Sequence, residues 1–208
     1  MNRYQLRRAA TAVLPYAWPL FFCAFILLTQ PPAYALFMLA ATALHETGHL
    51  FAFFACGEPL PHFSGRRFGL LLTPGETLSP QKELLFCAVG PLFNLAACLS
   101  LLPALRMGAD LDANFCFFAL NLFTALFNLL PLSGFDGGRM LSAALSLLCP
   151  PWLRRAICMA LALSAGLIFY FFALFMTFAA GSGLYPFLLA IFLLWCEGKQ
   201  YLPFQKDY

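Results

Sequence analysis

The sequence predicts an all-α polytopic membrane protein of about six transmembrane helices, with a three-helix core and a fourth segment broken in its middle. Three observations carry this. The chain is 62% hydrophobic and only 10% charged, whereas a soluble domain carries roughly 25% charged residues. Its mean hydropathy is +0.80. Its apolar residues also fall into stretches of membrane-crossing length, separated by short polar or proline-rich intervals.

The elements follow in order. Arg3, Arg7 and Arg8 precede a first apolar stretch at about 9–29. Basic residues before it and Ala33-Tyr34-Ala35 after it outline a cleavable signal peptide. The run is longer than the ~7–15 residues of such a core, so a retained first helix is predicted. Gln30-Pro31-Pro32 breaks the chain, and a second span covers 33–55. The interval 56–81 is the longest polar one. Its middle, Phe63 to Leu72, is Gly-containing and apolar, and suits a short hairpin at the membrane interface. A third span covers 83–105. The fourth begins near 113 and fails as a helix at Pro131, because Ser133-Gly134-Phe135-Asp136-Gly137-Gly138 disfavours helix. Apolar sequence resumes at 140–148. Irregular backbone at membrane depth is tolerated only where protein or a cavity surrounds it. A fifth span at 156–178 and a short sixth at 184–196 lead to a polar tail. The whole chain, 1–208, reads as one membrane-embedded domain with its core at about 33–148 and accessory spans on either side.

Six spans place both termini on one side of the membrane. That side then holds Arg3, Arg7, Arg8, Arg66, Arg67, Lys82, Arg139, Arg154, Arg155, Lys199 and Lys206, and the other holds only Arg106. This asymmetry makes both termini cytoplasmic. The net charge of +3 is too small to suggest nucleic acid. The eight cysteines are scattered singly with no C-x-x-C, so neither a disulfide framework nor a Cys₄ zinc site is indicated. Trp18, Trp152 and Trp195 fall near span ends and read as interfacial anchors. His62 falls in the polar interval, outside any metal-ligand spacing.

The second span contains His45-Glu46-Thr47-Gly48-His49. On a helix, side chains four residues apart share a face, so two imidazoles can hold one Zn²⁺ while Glu46 accepts a proton from water. Three ionisable groups in an apolar span are costly, which points to chemistry rather than packing. A hydrolytic zinc site wants a third protein ligand and an open position. Asp136 is the candidate, because its glycine neighbours allow close backbone approach. An Asp in an ordinary loop, paired with Arg139, is the plainer alternative. Asn94 and Asn128 are polar residues in apolar spans. Each fits either an interhelical hydrogen bond or a contact to substrate or a developing oxyanion.

Together these motifs resemble the site-2 proteases, zinc metalloproteases that cut within or beside the membrane. The resemblance rests on His45-Glu46-Thr47-Gly48-His49, on Gly90-Pro91-Leu92-Phe93-Asn94, and on Asn128-Leu129-Leu130-Pro131 followed by Phe135-Asp136-Gly137-Gly138, in that order. It implies one zinc ion held by His45, His49 and Asp136, with Glu46 as catalytic base. Leu129 and Phe135 depart from the family's usual residues but leave the ligands intact. With six spans and neither a PDZ nor a CBS domain, the layout is similar to the sporulation type, which processes a sigma-factor precursor. The implied partners are the bilayer, a membrane or membrane-associated protein substrate and a membrane regulator, in a bacterial cell membrane. Two other classes share these residues: a membrane zinc carrier, and an inactive homologue that only binds. The intact Glu46 argues against the latter.

Overall fold

The computed structural model describes residues 31–57, 62–66, 69–73, 78–108, 110–179 and 184–201. The predicted first span, Trp18 and most of the polar tail lie outside the described residues. The described residues are helical apart from one two-stranded hairpin, in the order α1 (Pro32–Ala55), β1 (His62–Arg66), β2 (Gly69–Thr73), α2 (Pro80–Arg106), α3 (Leu111–Asn128), α4 (Asp136–Leu148), α5 (Pro151–Phe178) and α6 (Tyr185–Tyr201). It divides into two compact units, residues 1–128 and 129–208.

Helix starts follow local chemistry. Pro32, Pro80 and Pro151 stand in the first turns of α1, α2 and α5, where a missing N–H costs nothing and the fixed φ suits the helix. Ser79 caps α2 by accepting from the Lys82 amide at 3.4 Å, with Glu83 in the positive first turn. Gly108, at φ +70°, ends it.

In the first unit α1, α2 and α3 pack against one another, and β2 touches α1. The hairpin is antiparallel, pairing Phe63 with Leu72 and Gly65 with Leu70, so the segment proposed from sequence is paired end to end. His62 is therefore the first residue of a strand and not part of a loop. The helix interfaces are built from small residues: Ala41, Gly48, Ala52, Cys87, Gly90 and Ala125 are buried. Large side chains such as Phe51, Phe54, Leu99, Phe115 and Phe123 face outward. Water would reject that arrangement, whereas lipid supplies no drive to bury leucine and close packing of small residues holds helices together.

By length and composition α2, α3 and α5 can cross a membrane, and the chain is a membrane protein. At 24 residues α1 is about 36 Å long, ample for a crossing. His45, Glu46 and His49 interrupt its apolar run.

In the second unit α5 packs against both α4 and α6. Gly166 on α5 lies where an added Cβ would be 2.7 Å from Leu194 on α6. The predicted break after α3 exists but is shorter than expected. It ends at Phe135, and Asp136, Gly137 and Gly138 form the first turn of α4. The glycines are helical because the turn sits directly on the preceding backbone. A Cβ on Gly137 would be 2.1 Å from the Leu129 carbonyl oxygen, and one on Gly138 would be 2.0 Å from that of Leu132. Packing thus overrides the low helix propensity of glycine. The fifth helix also starts earlier than expected, at Pro151 rather than 156.

Candidate metal centre

The middle of α1 places His45 and His49 side by side and buried, with rings edge to face at 4.8 Å and their Nε2 atoms 3.2 Å apart. Each ring is anchored through its other nitrogen. His45 Nδ1 donates to Asn94 Oδ1 at 2.9 Å, and His49 Nδ1 donates to the Phe86 carbonyl at 3.0 Å.

These tautomers are fixed by their surroundings. Asn94 is fully buried on α2, and its amide nitrogen donates to the Ala41 carbonyl at 2.8 Å and to Asn121 Oδ1 at 2.9 Å. A carbonyl only accepts, so the Asn94 nitrogen must face Ala41 and its oxygen must face His45. Asn121 on α3 is oriented in turn by donating to the Phe117 carbonyl. One directed chain of hydrogen bonds therefore runs from α3 through α2 to His45. The Phe86 carbonyl likewise forces a proton onto His49 Nδ1. Pro91 lies on the following turn inside α2, where a proline breaks the helical ladder and tilts carbonyls outward.

Two neutral imidazoles so protonated carry their lone pairs on Nε2. At 3.2 Å these lone pairs repel unless a cation or a proton lies between them. Two zinc–nitrogen bonds of about 2.0–2.1 Å at a tetrahedral angle hold their nitrogens roughly 3.3 Å apart. The pair fits zinc, and the Asn94 and Phe86 contacts are the kind that orient metal-binding histidines.

The room for this pair comes from two glycines. A Cβ on Gly90 would be 2.6 Å from His49 Cε1 and Nε2 and 2.9 Å from His45 Cε1, and one on Gly48 would be 2.7 Å from the Val89 carbonyl oxygen. Phe86 closes the far side, stacked on the His49 ring at 4.7 Å and itself packed against Phe53. Glu46 is half-buried on the next position of α1. Thr42 and Thr47, on the outer surface, return their hydroxyls to Met38 and Ala43 one turn back, as lipid exposure requires.

In the other unit Asp136 is buried at the start of α4, 3.9 Å from the Arg139 guanidinium. A carboxylate in a first helical turn is stabilised by the helix dipole. Asn94 makes the interhelical hydrogen bonds that were one of its two expected roles. Asn128 is half-buried and donates to the Thr124 carbonyl of its own helix. Sequence reasoning passed over Asn121 and Glu197. A third asparagine among apolar residues was the available sign of the first, and an acid at the end of an apolar run that of the second.

No protein-family profile matches the chain, and no curated protein matches it in sequence. Among solved structures, the site-2 protease from Methanocaldococcus jannaschii aligns over 94% of this chain and 91% of its own, with a TM-score of 0.59 and 18% identity. The two share a fold. At that identity the likeness concerns the helical architecture, and the chemistry rests on the residues described above.

Proposed function

We propose that this chain is an intramembrane zinc metalloprotease of the site-2 type, hydrolysing a peptide bond in or beside a transmembrane segment. One observation carries the reading: two buried imidazoles, each fixed at Nδ1, present Nε2 atoms at zinc spacing with Glu46 between them in sequence. In this reading Asp136 supplies the third ligand, from its carboxylate. The site-2 protease fold supports that choice. When bound, zinc acidifies water and polarises a carbonyl. Glu46 accepts the proton from water and returns it to the leaving amine. Asn128 offers a polar contact to substrate, and the β1–β2 hairpin has strand edges to which an unwound substrate segment can add. The substrate is a membrane-associated protein, with a transcription-factor precursor suggested by the sporulation-type layout.

In this reading six helices cross a bacterial cell membrane with both termini in the cytoplasm, following the distribution of Arg and Lys. A fluorescent protein that folds only in the cytoplasm, fused after Tyr208, glows if this is right. A dark fusion at normal expression would reverse the orientation.

Glu46→Gln tests the chemistry. The change removes the base and leaves both imidazoles and their anchors untouched. Cleavage of a reconstituted membrane substrate should fall by about 10²–10⁴-fold, with zinc content unchanged. Undiminished cleavage would sink the mechanism. Zinc flux through liposomes, with no cleavage by the wild type, would make the protein a carrier instead.

A further inference from the structure

Glu197 is the only acidic residue of α6 and is buried to 1% exposure. A buried carboxylate is costly unless it is well bonded. One oxygen, Oε1, accepts two hydrogen bonds from the same residue: from the Ser133 amide and from the Ser133 hydroxyl, each at 2.9 Å. The other, Oε2, is buried with no hydrogen-bond partner among the described residues.

Ser133 lies in the break that precedes α4, three residues before Asp136. Within the break, local bonds run from Leu132 N–H to the Leu130 carbonyl at 2.8 Å and from Phe135 N–H to the Leu132 carbonyl at 3.0 Å. Neither bond ties it to another helix. Glu197 does, from 64 residues away in sequence. The Phe135 carbonyl then accepts from Arg139 N–H to close the first turn of α4, so the Ser133 backbone fixes where that turn begins.

We propose that Glu197 is a positioning residue for Asp136: by holding Ser133 through both its amide and its hydroxyl, it sets the start of α4 and hence the placement of the Asp136 carboxylate. The inference rests on the reading of Asp136 as a metal ligand. It requires an acceptor oxygen at the Oε1 position and does not require the charge.

Zinc affinity of the purified full chain in detergent, measured by competition with a chromophoric chelator, tests this. Glu197→Ala should weaken zinc binding by about 10–100-fold, the range for residues that orient metal ligands. Glu197→Gln keeps an oxygen at the same reach and should stay within about threefold of wild type. Glu197→Asp keeps the charge but withdraws the oxygen by one methylene, and should behave like the alanine variant. If Glu197→Ala does not fold, the Asp and Gln variants decide the matter, since they differ in reach and charge. Wild-type affinity in Glu197→Asp overturns the proposal. So does a Gln variant as weak as the Asp variant. Asp136→Ala is the control: wild-type affinity there means that the ligand assignment has failed, whatever Glu197 does.

Discussion

Gly90→Ala is expected to leave the protein without zinc and to reduce cleavage to background. A methyl group at this position would be 2.6 Å from His49 Cε1 and Nε2 and 2.9 Å from His45 Cε1, well inside ordinary van der Waals contact. Such an overlap is tolerable where a flexible side chain can swing aside. Here neither ring can. His49 is held by the Phe86 carbonyl and stacked on the Phe86 ring, and His45 is held by an asparagine whose own amide is fixed from two further helix positions. The rings must therefore splay apart, or α1 and α2 must separate and undo the close approach of Gly48 to Val89 and Gly90. Either outcome destroys the Nε2 spacing, and metal–ligand distances tolerate only about ±0.2 Å. A loss of zinc affinity larger than the about 10–100-fold typical of a lost outer-shell partner is expected, because both ligands are displaced. Elemental analysis of the purified protein measures it, with circular dichroism to show that the helices persist. Near-stoichiometric zinc at wild-type affinity in Gly90→Ala would mean that the imidazole pair is not the metal site.

That prediction shows which parts of the site can be read from sequence. His45, Glu46 and His49 carry their own geometry, since residues four apart on a helix face the same way wherever that helix lies. The apolar segments pointed to an all-helical membrane fold in the same manner, and α1 to α3 begin and end within a few residues of expectation. Asn94 was conspicuous in sequence, but its role was not decided there. Whether an asparagine in an apolar span meets substrate or a neighbouring helix depends on how helices pack, and no local pattern encodes that. The chain of bonds from Phe117 through Asn121 and Asn94 to His45 links residues 49 and 27 positions apart. The same holds for Glu197, whose partner is 64 residues away. The start of α4 was misjudged for a different reason. Glycine propensity argued for a longer break, whereas the contact between Gly137, Gly138 and the carbonyls of Leu129, Leu130 and Leu132 decided it.

That contact makes Gly138 a position where the smallest substitution should cost the second unit heavily. In Gly138→Ala the new Cβ would be 2.0 Å from the Leu132 carbonyl oxygen, 2.5 Å from its carbon and 3.1 Å from the Ser133 amide nitrogen. All three are backbone atoms, so the overlap is relieved only by moving the break or unwinding the first turn of α4. Overpacking usually costs about 1–3 kcal/mol, and a clash with backbone on this scale belongs at the top of that range or above it. For a chain of this size 3 kcal/mol lowers the unfolding midpoint by roughly 6–12 °C. Zinc affinity should fall as well, because Asp136 is carried by that turn. Gly198→Ala supplies the contrast. It lies within α6 with no heavy atom within 4 Å of an added Cβ, so alanine should gain up to about 1 kcal/mol in helix propensity. Heating both variants in detergent and following the loss of the main size-exclusion peak separates the two effects. The expected order is Gly198→Ala at or above wild type and Gly138→Ala far below it. Equal midpoints would mean that α4 does not rest on the preceding carbonyls, and the placement of Asp136 would lose its structural basis.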